Sequence, residues 1–254
     1  MAVSRINRTL AALDLSRAPQ IPRESVCAAA LAEWSAFQQT DDQELRSSYM
    51  EWIEGKIYIV ELPSVEHAYY AHEFSNSVVT QPAVDSYLRG YATAYQPNRP
   101  QNQTRYEADA SYGPKSRVGS ALPHDVAGFI DWRTLVLEVG CLRKWGTSRG
   151  CLDWKAQMWA GVPGVRFILC VVVTEGLSSA EYKLYTVQHR DERLPGLVPR
   201  PIVDPTLVNF NSRELLGLQP GDLLPRDPPT RFSVPFPDPL VVDLHAVLVH
   251  ARDF

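Results

Sequence analysis

A continuous apolar segment in the second half of the chain constrains the fold more than any other feature. Residues Phe167–Val173 are all apolar, which is typical of a strand that is buried on both faces of a sheet. A helical pattern at Leu152–Ala160 and a sharp glycine–proline turn at 161–164 precede this strand. A helix that leads directly into a doubly buried strand predicts an α/β or α+β domain, with a mixed central sheet flanked by helices.

The flanking segments supply further predicted elements of such a domain. Apolar periodicity predicts a helix at 23–39 and another that begins after Ser64, since serine is a favourable helix cap. Segments that are β-rich or alternate predict strands at 50–62, 91–95, 104–112, 126–130, 134–139 and 182–187. A short helix at 212–216 and an apolar closing element at 240–249 follow.

Proline content divides the chain. Prolines become dense after Leu194, and this composition predicts an extended and partly irregular segment. The first 22 residues predict a loosely ordered arm. We therefore predict an N-terminal helical arm at 1–44, a core at 45–190, and a Pro-rich C-terminal extension at 191–254 that packs on the core.

Composition sets limits on partners and compartment. The chain of 254 residues has a net charge of −4 and lacks the global basic character of many nucleic-acid binders, although a local groove can still be positive. Its four cysteines form no C-x-x-C pair, which disfavours a structural zinc site and a secreted disulfide framework. We see no apolar signal-peptide core and no apolar stretch long enough to cross a bilayer. We expect an intracellular protein, cytoplasmic or nuclear, without a membrane partner.

Two carboxylates interrupt strand-like segments. Glu138 belongs to the apolar segment 135–139, and a carboxylate in a central strand costs free energy unless it binds a cation or another partner. Asp109 lies in a second strand-like segment, 105–110. If these strands are neighbours, the two carboxylates could meet at one end of the sheet, where two hard oxygen ligands suit Mg²⁺ or Mn²⁺.

Lys155 is the candidate for a positive charge beside those carboxylates. It shares a helical stripe with Leu152, Ala156 and Trp159, so its side chain is expected to point towards the sheet. A bound metal would polarise a scissile phosphate and lower the pKa of an attacking water. A nearby ammonium would neutralise charge on the phosphoryl oxygens or help to position that water.

Each of these residues also has a simpler interpretation. Glu138 and Lys155 could form a structural ion pair with each other. Asp109 alone is typical of a strand end or a turn, and Lys155 alone could extend its stem along an apolar face. His67 is interpreted as a buried or helix-capping histidine rather than a catalytic one. The order and spacing of the acidic and basic residues together are what favour a site.

Four stretches of the chain form one pattern by their order and context: 51–56, 63–67, 108–112, and 135–139 with its continuation through 153–155 and 159–162 into the apolar strand. This pattern resembles the restriction-endonuclease-like branch of the PD-(D/E)XK nuclease superfamily. The resemblance covers roughly residues 45–190. It implies a restriction-endonuclease-like mixed sheet flanked by helices.

The resemblance also implies roles for particular residues. Asp109 and Glu138 would be metal ligands for Mg²⁺ or Mn²⁺, and Lys155 would be the catalytic lysine. Glu51 would contribute a further carboxylate to the site. The implied partner is nucleic acid, with DNA favoured over RNA. The oligomeric state stays open, with a homodimer as the one alternative named.

The chain departs from the family pattern at two positions. Ala108 stands in place of the motif's proline, and Gly140 occupies the position two after Glu138 where the lysine usually lies. The lysine must then come from the following helix, as Lys155 would. The stretch 140–144 also lacks the serine-containing continuation that the family pattern predicts, so Lys144 is a rival for the catalytic ammonium.

Three hypotheses follow for the function. The first is a Mg²⁺-dependent nuclease or phosphodiesterase that acts on DNA. The second is a catalytically degenerate protein that keeps the nuclease fold as a nucleic-acid or protein interaction module, which the acidic composition and the altered motif favour. The third is an unrelated α/β binding domain whose Pro-rich C-terminal segment docks partners.

Overall fold

The computed structural model describes residues 2–13, 25–45, 47–59, 64–92, 107–141, 143–226 and 234–253. The chain forms two units, which are Met1–Pro63 with Tyr95–Glu107, and Ser64–Ala94 with Ala108–Phe254. The strands near residue 50 lie in the first unit, and the described part of the Pro-rich extension lies in the second. The predicted domain boundaries at 44/45 and 190/191 stay a prediction.

The first unit opens with two helices, α1 (Ala2–Ala11) and α2 (Leu31–Gln38). The α1 side chains Ile6 and Leu10, one helical turn apart, are buried in a small apolar core that includes Trp34 of α2. Residues 2–11 are therefore helical rather than loosely ordered, because this apolar pair has a core to join. Part of the predicted arm, 14–22, lies outside the described residues.

A three-stranded antiparallel sheet completes the first unit. Its strands are β1 (Cys27–Ala28), β2 (Met50–Ile53) and β3 (Lys56–Ile59), in the order β1-β3-β2. The predicted helix at 23–39 is thus divided into a strand and the helix α2. Between β2 and β3, Glu54 and Gly55 have φ values of 48° and 83°, the positive φ that a tight two-residue hairpin requires at both positions.

The second unit holds the remaining elements. Its helices are α3 (Val65–Val79), α4 (Val84–Tyr87), α5 (Leu152–Ala160), α6 (Ser212–Leu216) and α7 (Leu244–Arg252). Its strands are β4 (Leu88–Ala92), β5 (Ala110–Pro114), β6 (Leu135–Gly140), β7 (Phe167–Val173), β8 (Ala180–Thr186), β9 (Arg200–Pro201), β10 (Leu207–Phe210) and β11 (Leu240–Asp243).

Six of these strands form the central sheet, in the order β4-β5-β6-β7-β8-β9. Strands β6 and β7 are parallel, with α5 in the connection between them, and the other neighbouring pairs are antiparallel. Strands β10 and β11 form a separate two-stranded sheet. The predicted fold class, a mixed central sheet flanked by helices, is confirmed.

The side chains of β6 alternate between two covered faces of the sheet. Leu135, Leu137 and Val139 join the main apolar core, which also contains residues of α3 and α7. Glu138 contacts α5 instead. Because helices cover both faces, the central strands are nearly continuous apolar runs.

The predicted sharp turn between α5 and β7 is present, and one glycine makes it possible. Gly164 has a φ of 85°, and a Cβ there would lie 2.4 Å from the Trp132 indole nitrogen. Both the backbone conformation and the space therefore require glycine.

Two other predicted strands differ from the structure. Residues 126–130 are irregular, because the Val126 N–H donates to the Pro123 carbonyl and the Asp131 N–H donates to the Gly128 carbonyl, which closes two turns. In the strand predicted at 104–112, the described part begins at 107, and β5 starts only at Ala110.

The closing element at 240–249 is a strand followed by a helix. Asp243 ends β11 and caps α7, because its carboxylate accepts the N–H groups of His245 and Ala246. Among the helices of the described ranges, none combines the length and the apolar character that a membrane crossing requires.

Candidate active site

The carboxylate of Glu138 lies between β6 and α5, where it is 1% exposed. The Trp159 indole N–H donates to its Oε1 at 2.6 Å, and the Lys155 ammonium lies 2.8 Å from its Oε2. The Arg143 guanidinium lies 3.8 Å from the same Oε2. Glu138 is thus a buried charge with several cationic or hydrogen-bonding partners, the condition under which a carboxylate can be buried.

Helix α5 supplies two of these partners from one face. Lys155 and Trp159 are one helical turn apart, so their side chains lie side by side. Leu152 and Ala156 on the same face are also buried. The sequence stripe therefore places Lys155 on the sheet side of the helix, and the structure has it there.

Asp109 immediately precedes β5 and makes two hydrogen bonds to the backbone of β6. Its N–H donates to the Leu137 carbonyl at 3.1 Å, and its Oδ2 accepts the Val139 N–H at 2.7 Å. The strand register pairs Ala110 with Leu137, so Asp109 follows on beside Glu138. The two carboxylates therefore lie side by side, one just before β5 and the other in the second half of β6.

His67 contacts the other oxygen of Asp109. Its Nε2 lies 2.9 Å from Oδ1, and the imidazole is largely buried. His67 is in the first turn of α3, where its backbone N–H donates to the cap residue Ser64. This contact could not be predicted from the sequence, because a histidine at a helix start is usual in many structural contexts.

The pKa of Asp109 is low for a buried carboxyl group. Burial by itself raises the pKa, but attraction to His67 and its hydrogen bond, together with Lys155 and the Val139 N–H, lower it to about 2. Asp109 therefore carries a full negative charge at neutral pH.

The pKa of Glu138 moves in the opposite direction. Burial, the largest effect, raises it to about 7, and the negative charge of Asp109 raises it as well, while Lys155 and Arg143 oppose the shift. Two adjacent carboxyl groups with pKa values pushed apart are a frequent property of catalytic sites, although structural ion pairs share it.

A second polar cluster anchors the start of α5. Asp153 Oδ1 accepts hydrogen bonds from the Lys183 ammonium and the Tyr185 hydroxyl of β8, each at 2.6 Å. Its Oδ2 accepts the Gly146 N–H at 2.7 Å. Through these hydrogen bonds Asp153 connects α5 to β8 and to the loop between β6 and α5. Sequence reasoning assigned it no role, because its partners lie far along the chain.

The two remaining predicted residues lie elsewhere. Lys144, the rival of Lys155, is exposed in the loop before α5. Glu51 is buried in β2 of the first unit, opposite Tyr58 of β3. Its contribution to a site with Asp109 stays a prediction.

Few residues of the described ranges could hold a metal ion. Among them there is no group of three or more His, Cys, Asp or Glu side chains placed to do so. Mg²⁺ in phosphate-processing enzymes is usually held by one or two carboxylates, and water and substrate oxygens complete its coordination. Asp109 and Glu138 are two adjacent carboxylates, and their oxygens already contact His67, the Val139 N–H, Trp159 and Lys155. A hard divalent cation held by this pair stays a prediction.

Comparison with known proteins identifies no family. No family model matches the chain, and no curated protein matches it. Among the solved structures that are similar is a protein of Anabaena variabilis, provisionally assigned as a nuclease belonging to DUF820. The two chains share 15% sequence identity with a TM-score of 0.46, over 87% of this chain and 98% of the other. A likeness of this degree leaves the function to be inferred from the geometry of the site.

Proposed function

We propose that the protein is a nuclease that hydrolyses phosphodiester bonds of nucleic acid, with DNA as its preferred substrate and Mg²⁺ or Mn²⁺ as its cofactor. One observation carries this proposal: Asp109, Glu138 and Lys155 converge beside the second half of β6, with the ammonium 2.8 Å from Glu138. Two carboxylates and one ammonium in a shared, largely buried position are the groups that metal-assisted phosphate chemistry needs.

Each residue of the candidate site has its own role in this proposal. Asp109 stays ionised and is held by His67 and the Val139 N–H, so its charge has a fixed position. Glu138 holds the Lys155 ammonium in the site. Lys155 offers positive charge to the phosphoryl oxygens as charge develops on them. A divalent cation at the two carboxylates would polarise the phosphate and lower the pKa of the attacking water.

Cleavage of labelled duplex DNA tests this proposal. We expect cleavage in Mg²⁺ or Mn²⁺ that is abolished by chelation. Asp109→Asn and Lys155→Met should each reduce the rate by about 10²–10³-fold, the usual cost of removing one transition-state contact. The matched controls Asp41→Asn and Lys56→Met change exposed residues of the first unit and should cleave like the wild type. Cleavage that survives in Lys155→Met would remove the basis of the proposal.

A second candidate function is an interaction module that keeps the fold without catalysis. The burial of Glu138 favours it, because both carboxylate oxygens are engaged by Trp159 and Lys155. Calorimetric titration with Mg²⁺ separates the two candidates. Saturable binding that is lost in Asp109→Ala/Glu138→Ala supports the nuclease, and an absence of binding to the wild type supports the module.

A further inference from the structure

The loop that connects β6 to α5 is a basic segment of an acidic protein. Its residues 143–150 include Arg143, Lys144 and Arg149, and no acidic residue occurs between Glu138 and Asp153. The chain as a whole has a net charge of −4. Four side chains of this loop are exposed, namely Lys144 and the consecutive Thr147, Ser148 and Arg149.

The backbone of this loop is fixed by hydrogen bonds to the start of α5. The Leu152 N–H donates to the Lys144 carbonyl and the Trp154 N–H to the Gly146 carbonyl, both at 3.1 Å. The Gly146 N–H donates to the Asp153 carboxylate at 2.7 Å. Because these hydrogen bonds restrain the loop backbone, little conformational entropy is lost when the loop makes contacts.

The one aromatic side chain of the loop contributes to this anchoring. The Lys183 ammonium lies 4.6 Å from the centre of the Trp145 ring, and the Trp145 indole N–H donates to the Glu181 carboxylate. Both partners belong to β8. Trp145 thus attaches the loop to the sheet, while the exposed positions carry cationic and hydroxyl groups.

We infer that loop 143–150 binds the sugar–phosphate backbone of the nucleic acid, an inference that rests on the proposed function. Lys144 and Arg149 would contact phosphate groups, and Thr147 and Ser148 would donate hydroxyl hydrogen bonds to phosphate oxygens, as such side chains do in protein–nucleic acid complexes. The loop also contains Arg143, 3.8 Å from Glu138, so it begins at the candidate active site.

Binding measured without turnover tests this inference. Labelled duplex DNA, single-stranded DNA and RNA of equal length are titrated with the full chain in EDTA, over a range of salt concentrations. The variant Lys144→Ala/Arg149→Ala is compared with Lys56→Ala/Arg193→Ala, which removes the same charge at two exposed positions outside the loop. We expect the loop variant to bind at least about tenfold more weakly, because two phosphate contacts are lost.

The salt dependence identifies the kind of contact. The log–log slope of affinity against salt should fall by about 1.8 for duplex DNA, or about 1.4 for a single strand, relative to the control variant. The single variants Lys144→Gln and Arg149→Gln should each lower the slope by about half as much as the double variant does. The three nucleic acids compared in parallel report which type the loop prefers.

The results that overturn the inference are specific. Equal affinities of the loop and control variants would do so, as would weaker binding of the loop variant with an unchanged salt slope. A wild type that binds none of the three nucleic acids overturns it as well. Since EDTA prevents metal-dependent turnover, a failure of cleavage counts against the proposed function alone, and a failure of the loop variant to differ counts against the loop alone.

Discussion

The Lys155 ammonium lies 2.8 Å from Glu138 Oε2, and both side chains are almost fully buried, at 4% and 1% exposure. A buried ion pair is costly to form and still more costly to break on one side, because the remaining charge then lacks a partner. The pair is therefore both the centre of the proposed chemistry and a feature on which the stability of the helix–sheet contact depends.

Removal of Lys155 alone should destabilise the protein. Lys155→Met leaves the Glu138 carboxylate without its ammonium, and we expect the free energy of unfolding to fall by about 3–5 kcal/mol at pH 8. Lys155→Met/Glu138→Gln removes both charges and should recover most of this loss. Urea unfolding curves of the two variants and the wild type give the comparison. A double variant as unstable as the single one would contradict the expectation.

The stability of the protein should depend on pH through Glu138. Burial raises its pKa from 4.5 to about 7, so the folded state binds the proton more tightly than the unfolded state. This contribution is complete below pH 4.5 and is lost as the pH rises through about 7. Asp109 acts in the opposite sense, because its lowered pKa stabilises the fold above pH 3.8 and this is lost as the pH falls through about 2.

The Glu138→Gln variant isolates that dependence. Between pH 4.5 and pH 8 the wild type should lose stability with rising pH relative to Glu138→Gln, whose side chain does not titrate. Unfolding by urea at several pH values measures the difference. A constant difference across this range would show that Glu138 titrates alike in the folded and unfolded states.

The contact with His67 should keep the pKa of the Asp109 carboxyl group low. In His67→Ala the Asp109 carboxyl loses its main attractive partner, and its pKa should rise above the value of about 2. Carbon-13 NMR titration of aspartate carboxyl signals, assigned with Asp109→Asn, measures this shift. His72→Ala on the same helix is the matched control, because that imidazole is 61% exposed and should leave the titration unchanged. An identical titration in both histidine variants would argue against the contact.

The contributions of Asp153 and Lys183 to the free energy of unfolding should be coupled. Asp153→Asn leaves the Lys183 ammonium buried without its carboxylate, while Lys183→Met leaves Asp153 without its ammonium. We expect the two substitutions to be coupled by about 1–3 kcal/mol in the free energy of unfolding, so that the double variant is less destabilised than their sum. A double-mutant cycle in urea measures this coupling. Simple additivity would mean that the 2.6 Å contact contributes little.

Local sequence patterns predicted the elements that carry the site but few of its contacts. The apolar run of β7 and the stripe of α5 were readable, because periodicity and burial are local properties. Residues 126–130 form turns instead of the predicted strand, because their apolar character is compatible with a strand while the hydrogen bonds that close the turns cannot be seen in the sequence. Helix α1 is not among the predicted elements. Its sequence is basic, and only two of its side chains, both apolar, are buried in a core.

Local sequence patterns are sufficient to show that carboxylates interrupt two strand-like segments and that Lys155 shares an apolar helical stripe. Three contacts are visible in the folded chain alone: Asp109 lies beside Glu138, His67 contacts Asp109, and Asp153 binds two side chains of β8. These contacts join residues far apart in the chain. They depend on strand register and on how helices pack against the sheet, which are set by the folded chain as a whole.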